Sequence, residues 1–133
     1  LGDVYKRQDP KSVDAVLMYA QRGHGKRSSY YSDFTFGLWN GNQLSPIGKA
    51  YFGFDDNELK VLDKFVRNNT IKKFGPVREV EKTFVIEIAF DAVNESNRHK
   101  SGVALRFPRI KRLREDKPAS EVIQLSQFKS DFL

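Results

Sequence analysis

Between Arg98 and Lys117 the chain gathers eight cationic side chains, Arg98, Lys100, Arg106, Arg109, Lys111, Arg112, Arg114 and Lys117, against two acids, Glu115 and Asp116. The net charge of the whole protein is +6, so this segment carries the entire excess and the remainder is neutral. Guanidinium forks and ammonium groups at this density bind phosphates, whether of nucleotides, of nucleic acid or of an acidic membrane surface. No cysteine is present, which excludes disulfides and thiolate metal sites, and two histidines give little basis for an imidazole site. No apolar run approaches the ~20 residues of a membrane span, and no signal-peptide pattern is present.

These side chains need a scaffold, and 133 residues with 39% hydrophobic content supply one compact domain with one core. VDAVLMYAQ (13–21) is nearly all apolar, as in a strand buried on both faces. RGHGKRSSYYS (22–32) breaks that pattern with two glycines and clustered cations. DFTFGLW (33–39) alternates with period two, NGN (40–42) is a hairpin turn, and QLSPIGKAYFG (43–53) is the returning strand, its proline and glycine marking an edge or bulge. Asp55 and Glu58 form a capping-box pair ahead of a helix whose apolar stripe is Leu59, Leu62, Phe65 and Val66. IKKFGPVREVE reads as a basic turn region, TFVIEIAF (83–90) as a fourth strand and SGVALRF (101–107) as a fifth, ended or bulged by Pro108. From Pro118 the tail forms one or two short helices, with Val122, Leu125, Phe128 and Phe132 available to dock. Five short strands with a helix between the third and fourth is the order of the OB-fold, a partly open five-stranded Greek-key barrel, although other small barrels and α+β sandwiches share it.

Two stretches carry a family resemblance. DAVLMYAQRGHGKRSSYYSDFTFGLW (14–39) resembles the opening of the C-terminal domain of ATP-dependent DNA ligases, where a strand, a basic GxGKR turn and a Ser-x-Phe strand follow one another. SGVALRFPRIKRLREDKP (101–118) resembles the last motif of those enzymes, RFPR followed by R-x-D-K, and RHKSG with FGPVREVE is similar to bacterial ligases encoded beside helicase genes. The resemblance covers residue 9 to roughly residue 125. Ligases of this type take their adenylate on the lysine of a K-x-D-G motif, which this sequence lacks. The resemblance therefore implies an OB-fold domain, residues 9–133, separated from its nucleotidyltransferase domain and unable to form the covalent adenylate alone. The first eight residues, LGDVYKRQ, include the translation of GATGTGTATAAGAGACAG, a string similar to a transposon end used in preparing sequencing libraries; they are expected to belong to no part of the fold.

The resemblance places Arg114 and Lys117 on the β- and γ-phosphates of ATP during lysine adenylation, with Asp116 orienting them. It makes Arg22, Lys26, Arg27, Arg98, His99, Lys100, Arg106 and Arg109 contacts to DNA. For Phe107 two readings stand: alternation with Val103 and Leu105 points to the core, whereas the family's aromatic lies against the minor groove, a bulge at Pro108 turning it outward. Trp39, Tyr30 and Tyr31 are assigned to packing and hairpin stabilisation ahead of base stacking. In the complete enzyme ATP and Mg2+ are the expected cofactors and nicked duplex DNA the partner, with no membrane, a monomeric state and a cytoplasmic, nucleoid-associated location in a bacterium. Rival readings are a stand-alone OB-fold binder of single strands, or the equivalent domain of an RNA ligase or capping enzyme.

Overall fold

A computed structural model describes residues 11–22, 31–50 and 56–133, the side chains of residues 22, 32 and 56 excepted. Strand β1 (Lys11–Arg22) is the spine of the molecule. Its first half pairs with β6 (Val85–Phe90) and its second half with β5 (Val77–Val80), while β2 (Tyr31–Asn40) pairs from Val16 onward. Its apolar residues lie on both faces of the curled sheet, and Val13, Ala15, Val16, Leu17, Met18 and Ala20 are all buried. β2 returns through Gly41, at φ 68, into β3 (Gln43–Ala50). That positive φ is the conformation a two-residue hairpin asks of glycine.

Helix α1 (Asp56–Asn69) follows the third strand, as the sequence predicts. Leu59, Leu62 and Val66 bury its stripe, and Phe65 meets Phe84 edge to face at 4.9 Å. Asp63 accepts from the backbone N–H of Tyr31 at 2.9 Å and so ties the helix to β2. The expected cap Asp55 lies outside the described residues, as do residues 1–8.

After the helix the structure departs from the expectation in two places. The basic turn region is a hairpin, β4 (Thr70–Phe74) and β5, turning at Gly75 and added to the edge of β1. The fifth barrel strand is β9 (Arg109–Arg114), which pairs with β6; residues 103–106 instead form β8 (Val103–Arg106), which pairs with β7 (Ala92–Glu95) in a separate two-stranded ribbon. The barrel strands are thus β1, β2, β3, β6 and β9, the helix standing between the third and fourth, with β4–β5 and β7–β8 as added hairpins. β8 and β9 both reach β3, which curls the sheet into the partly open barrel of an OB-fold.

The tail closes one end. Trp39 donates its indole N–H to the carbonyl of Ala119 at 2.8 Å, and Gln124 accepts from the N–H of Gly41 at 2.9 Å. A 3-10 turn (Ala119–Glu121) and helix α2 (Leu125–Phe132) then bring Phe128 and Phe132 onto Phe90, with ring centroids 5.9 and 5.3 Å away. Val122, Leu125 and Phe128 are buried, as the sequence predicts. Among the described residues no helix is long and apolar enough to cross a membrane.

Candidate phosphate and nucleic-acid interface

The register between β1 and β6 sets Asp14 directly opposite Glu87. Two carboxylates facing each other across strands repel unless cations stand beside them, and β9 supplies those cations from the other edge of β6. A bulge inserts Lys111 into the β6–β9 ladder, so that Lys111 and Arg112 both reach Glu87. Arg112 Nε donates to Glu87 Oε1 at 2.6 Å, Ser12 Oγ donates to Oε2 at 2.8 Å, and Lys111 Nζ lies 3.6 Å from Oε2. Burial resists ionisation of Glu87, but the hydrogen bonds from Arg112 and Ser12 and the charges of Lys111 and Arg112 outweigh it. The carboxyl therefore titrates below its ordinary value.

One step along the strands Arg114 and Lys117 converge on Asp14. Arg114 Nη1 lies 3.3 Å and Lys117 Nζ 2.8 Å from the same oxygen, Oδ2. Arg114 Nε also donates to Asp116 Oδ1 at 3.2 Å. That hydrogen bond is the main cause of a raised Arg114 pKa and of a lowered Asp116 pKa, with the charge of Asp14 adding to the former. The side chains of Arg114 and Lys117 are about one-fifth exposed and that of Asp14 less. These two cations are therefore held at a fixed spot with one face open, rather than waving in solvent.

The other expected site residues are arranged differently. Arg98, His99 and Lys100 are exposed in the turn of the β7–β8 ribbon, where Ser96 Oγ and His99 Nδ1 are 2.7 Å apart. Arg106 ends β8 with its guanidinium 5.6 Å from the ring centroid of Phe107. Arg98, Lys100 and Arg106 make no ion pair among the described residues. Arg22 ends β1, its side chain outside the description, and Lys26 and Arg27 lie outside the described residues altogether.

Phe107 is turned outward. Its side chain is 64% exposed, and at φ 52 it is the one described non-glycine residue in the left-handed region. Such a conformation costs about 1–2 kcal/mol for an L-residue, and here it marks the point where the chain leaves the ribbon and enters the barrel. Arg109 holds the bend: its Nη1 donates to the carbonyl of Phe107 at 2.8 Å and lies 3.3 Å from Asp91 Oδ1. Arg109 thus braces Phe107, a role the sequence did not show. Asp14, Glu87 and Ser12 also escaped the sequence reading. For the two acids the signal was a lone carboxylate interrupting each of two apolar strands, VDAV and VIEI.

Barrel order, inter-strand helix and one-sided basic segment define a basic OB-fold domain. The family model described as the ATP dependent DNA ligase C terminal region matches residues 27–117, and the chain belongs to that family. A probable DNA ligase of Koribacter versatilis is 48% identical over 115 residues, 86% of this chain and 20% of that protein. A probable DNA ligase of Opitutus terrae is 42% identical over 118 residues, 86% of this chain and 12% of that protein. The chain therefore spans one-fifth or less of the length of these relatives. In fold it matches the ligase domain of LigD from M. tuberculosis with a TM-score of 0.71 at 21% identity, over 86% of this chain and 39% of that one.

Proposed function

We propose that this domain works within an ATP-dependent DNA ligase, first helping to adenylate a lysine of a nucleotidyltransferase domain and then clasping nicked duplex DNA. The observation that carries the reading is the convergence of Arg114 and Lys117 on a single carboxylate oxygen of Asp14. Two cations that share one anionic oxygen can share a phosphate oxygen in its place. Attack of the lysine on the α-phosphate of ATP expels pyrophosphate, and Arg114 and Lys117, held by Asp14 and Asp116, would neutralise the charge that develops on it. Magnesium would lower the charge of the nucleotide phosphates, and no residue of this chain is assigned to hold it. Once the nucleotide step is over, the unpaired cations of the ribbon, Arg98, Lys100 and Arg106, would meet the DNA backbone without regard to sequence, as a nick-sealing enzyme requires. Phe107 would enter the minor groove beside them.

The test uses the polypeptide that joins this domain to its nucleotidyltransferase domain. Arg114→Ala and Lys117→Ala should each slow single-turnover self-adenylation on the order of 30- to 1000-fold. Sealing of a nick that already bears its adenylate releases no pyrophosphate and should change far less. Equal losses in both assays would make these residues general DNA contacts.

A further inference from the structure

The sheet order β3-β2-β1-β5-β4 puts the β4–β5 hairpin at one end of a five-strand span, and the ribbon strand β8 packs at the other end, against β3. Between them runs an open groove of about 920 Å³. Its floor includes Tyr19, Thr35 and Gly48; Phe74 and Val77 of the hairpin line one side, and His99 and Pro108 of the ribbon segment the other. Each rim carries the same device. On the ribbon side Arg106 stands 5.6 Å from the ring centroid of the exposed Phe107; on the hairpin side Lys72 Nζ stands 5.7 Å from that of Phe74, itself 50% exposed.

The hairpin has no structural need for these groups. Lys72 and Lys73 are exposed on β4, an edge strand paired only with β5, and neither makes an ion pair among the described residues. Arg78 is used differently, folding back to donate to the carbonyl of Gly75 at 2.6 Å and so shaping the turn. Asp33 is the one acid on the groove lining among the described residues, with Lys49 also on the lining. Strands stand ~4.8 Å apart, so the five-strand span measures roughly 19 Å along the sheet, a width that an extended polyanion can follow from rim to rim.

We infer that the β4–β5 hairpin, through Lys72 and Phe74, which share one face of β4, is a second duplex-DNA contact facing the one made by Arg106 and Phe107, so that the domain grips the duplex from both rims of this groove. The inference rests on the reading of the domain as a DNA-clasping module and adds residues to it that the sequence analysis gave no DNA-binding role. Lys72 would neutralise a phosphate, and the Phe74 ring would lie against sugars and base edges, as exposed aromatics do on nucleic-acid surfaces.

The experiment measures binding of this chain to a fluorescein-labelled nicked duplex by anisotropy across a salt series. Each lost phosphate contact lowers the log–log salt slope by ~0.9, so Lys72→Ala should bind more weakly with a slope ~0.9 shallower. Phe74→Ala removes no charge and should weaken binding on the order of fivefold with the slope unchanged. Lys60→Ala, on the exposed side of α1 away from the groove, controls for net charge. All three positions are exposed, and thermal melts confirm that each variant is folded. If Arg106→Ala weakens binding and the hairpin variants do not, the hairpin contact is wrong while the clasping reading stands. A loss no larger per charge than that of Lys60→Ala, or an unchanged Phe74→Ala, likewise overturns the hairpin contact. If the unaltered chain fails to bind duplex at all, the clasping reading itself falls and the hairpin contact with it.

Discussion

The outer face of β9 and the rims of the groove hold similar numbers of cations in opposite states. On β9 and in the turn that follows it, Lys111, Arg112, Arg114 and Lys117 are matched by Glu87, Asp14 and Asp116, at distances from 2.6 to 3.6 Å. On the rims Lys72, Arg98, Lys100 and Arg106 have no acidic partner among the described residues, and two of them lie over exposed rings instead. The difference bears on what each set could do. A paired cation is positioned before its ligand arrives and must exchange one anion for another, which suits a phosphate that needs an exact place. An unpaired cation keeps its counterions to release, which yields affinity for any polyanion with little demand on geometry. Formal charge alone does not separate the two; neighbouring strands do.

The contrast can be broken by experiment. The largest effect on folding should come from Glu87→Ala, which removes the acceptor of Arg112 and Ser12 at a buried position. It should cost roughly 1–3 kcal/mol in chemical unfolding, whereas Arg98→Ala or Lys100→Ala should stay within about 0.5 kcal/mol. Comparable losses on the two sides would erase the distinction between paired and unpaired cations.

Asp14→Asn sharpens the same point in binding. Freed of their carboxylate, Arg114 and Lys117 should grip duplex DNA several-fold more tightly, and the salt slope should steepen by up to ~0.9 for each cation released. In the joined polypeptide the same change should slow adenylation, because the two cations lose their anchor. Tighter DNA binding with undiminished adenylation would show that Asp14 does not position them.

Phe107→Gly should leave stability unchanged or raise it by up to about 1 kcal/mol, since glycine takes φ 52 without strain. Duplex affinity should fall. A fall in stability would mean that the exposed ring contributes to folding more than its strained backbone costs.

The smallest effect is on the pH dependence of stability. Glu87 titrates below its ordinary value of 4.5 in the folded chain, so its contribution is complete above that pH and is lost as acid carries it through the lower folded value. Glu87→Gln should flatten the acid limb of the melting-temperature profile below pH 4.5 and leave the neutral range parallel to the parent. An unchanged acid limb would place the controlling group elsewhere.

Local pattern alone determined much of this molecule. Apolar alternation in DFTFGLW, the NGN turn, the stripe of α1 and the aromatic spacing of the tail each follow from short-range steric and burial rules, and each appears as the sequence predicts. The hairpin β4–β5 was hidden because an edge strand left in solvent shows no apolar period; only its Gly-Pro turn was visible in advance. LRFPRIKR read as one strand and its aftermath because alternation cannot reveal a change of partner. The backbone inversion at Phe107 divides it between a ribbon and the barrel. The resemblance to the R-x-D-K motif drew attention to Arg114 and Lys117, but Asp14, which both of them contact, lies about a hundred positions earlier. Their meeting depends on β1 and β9 flanking β6 in a fixed register. Sequence spacing sets what one strand presents; pairing across strands decides which charges meet, because cross-strand neighbours are set by register and not by distance along the chain.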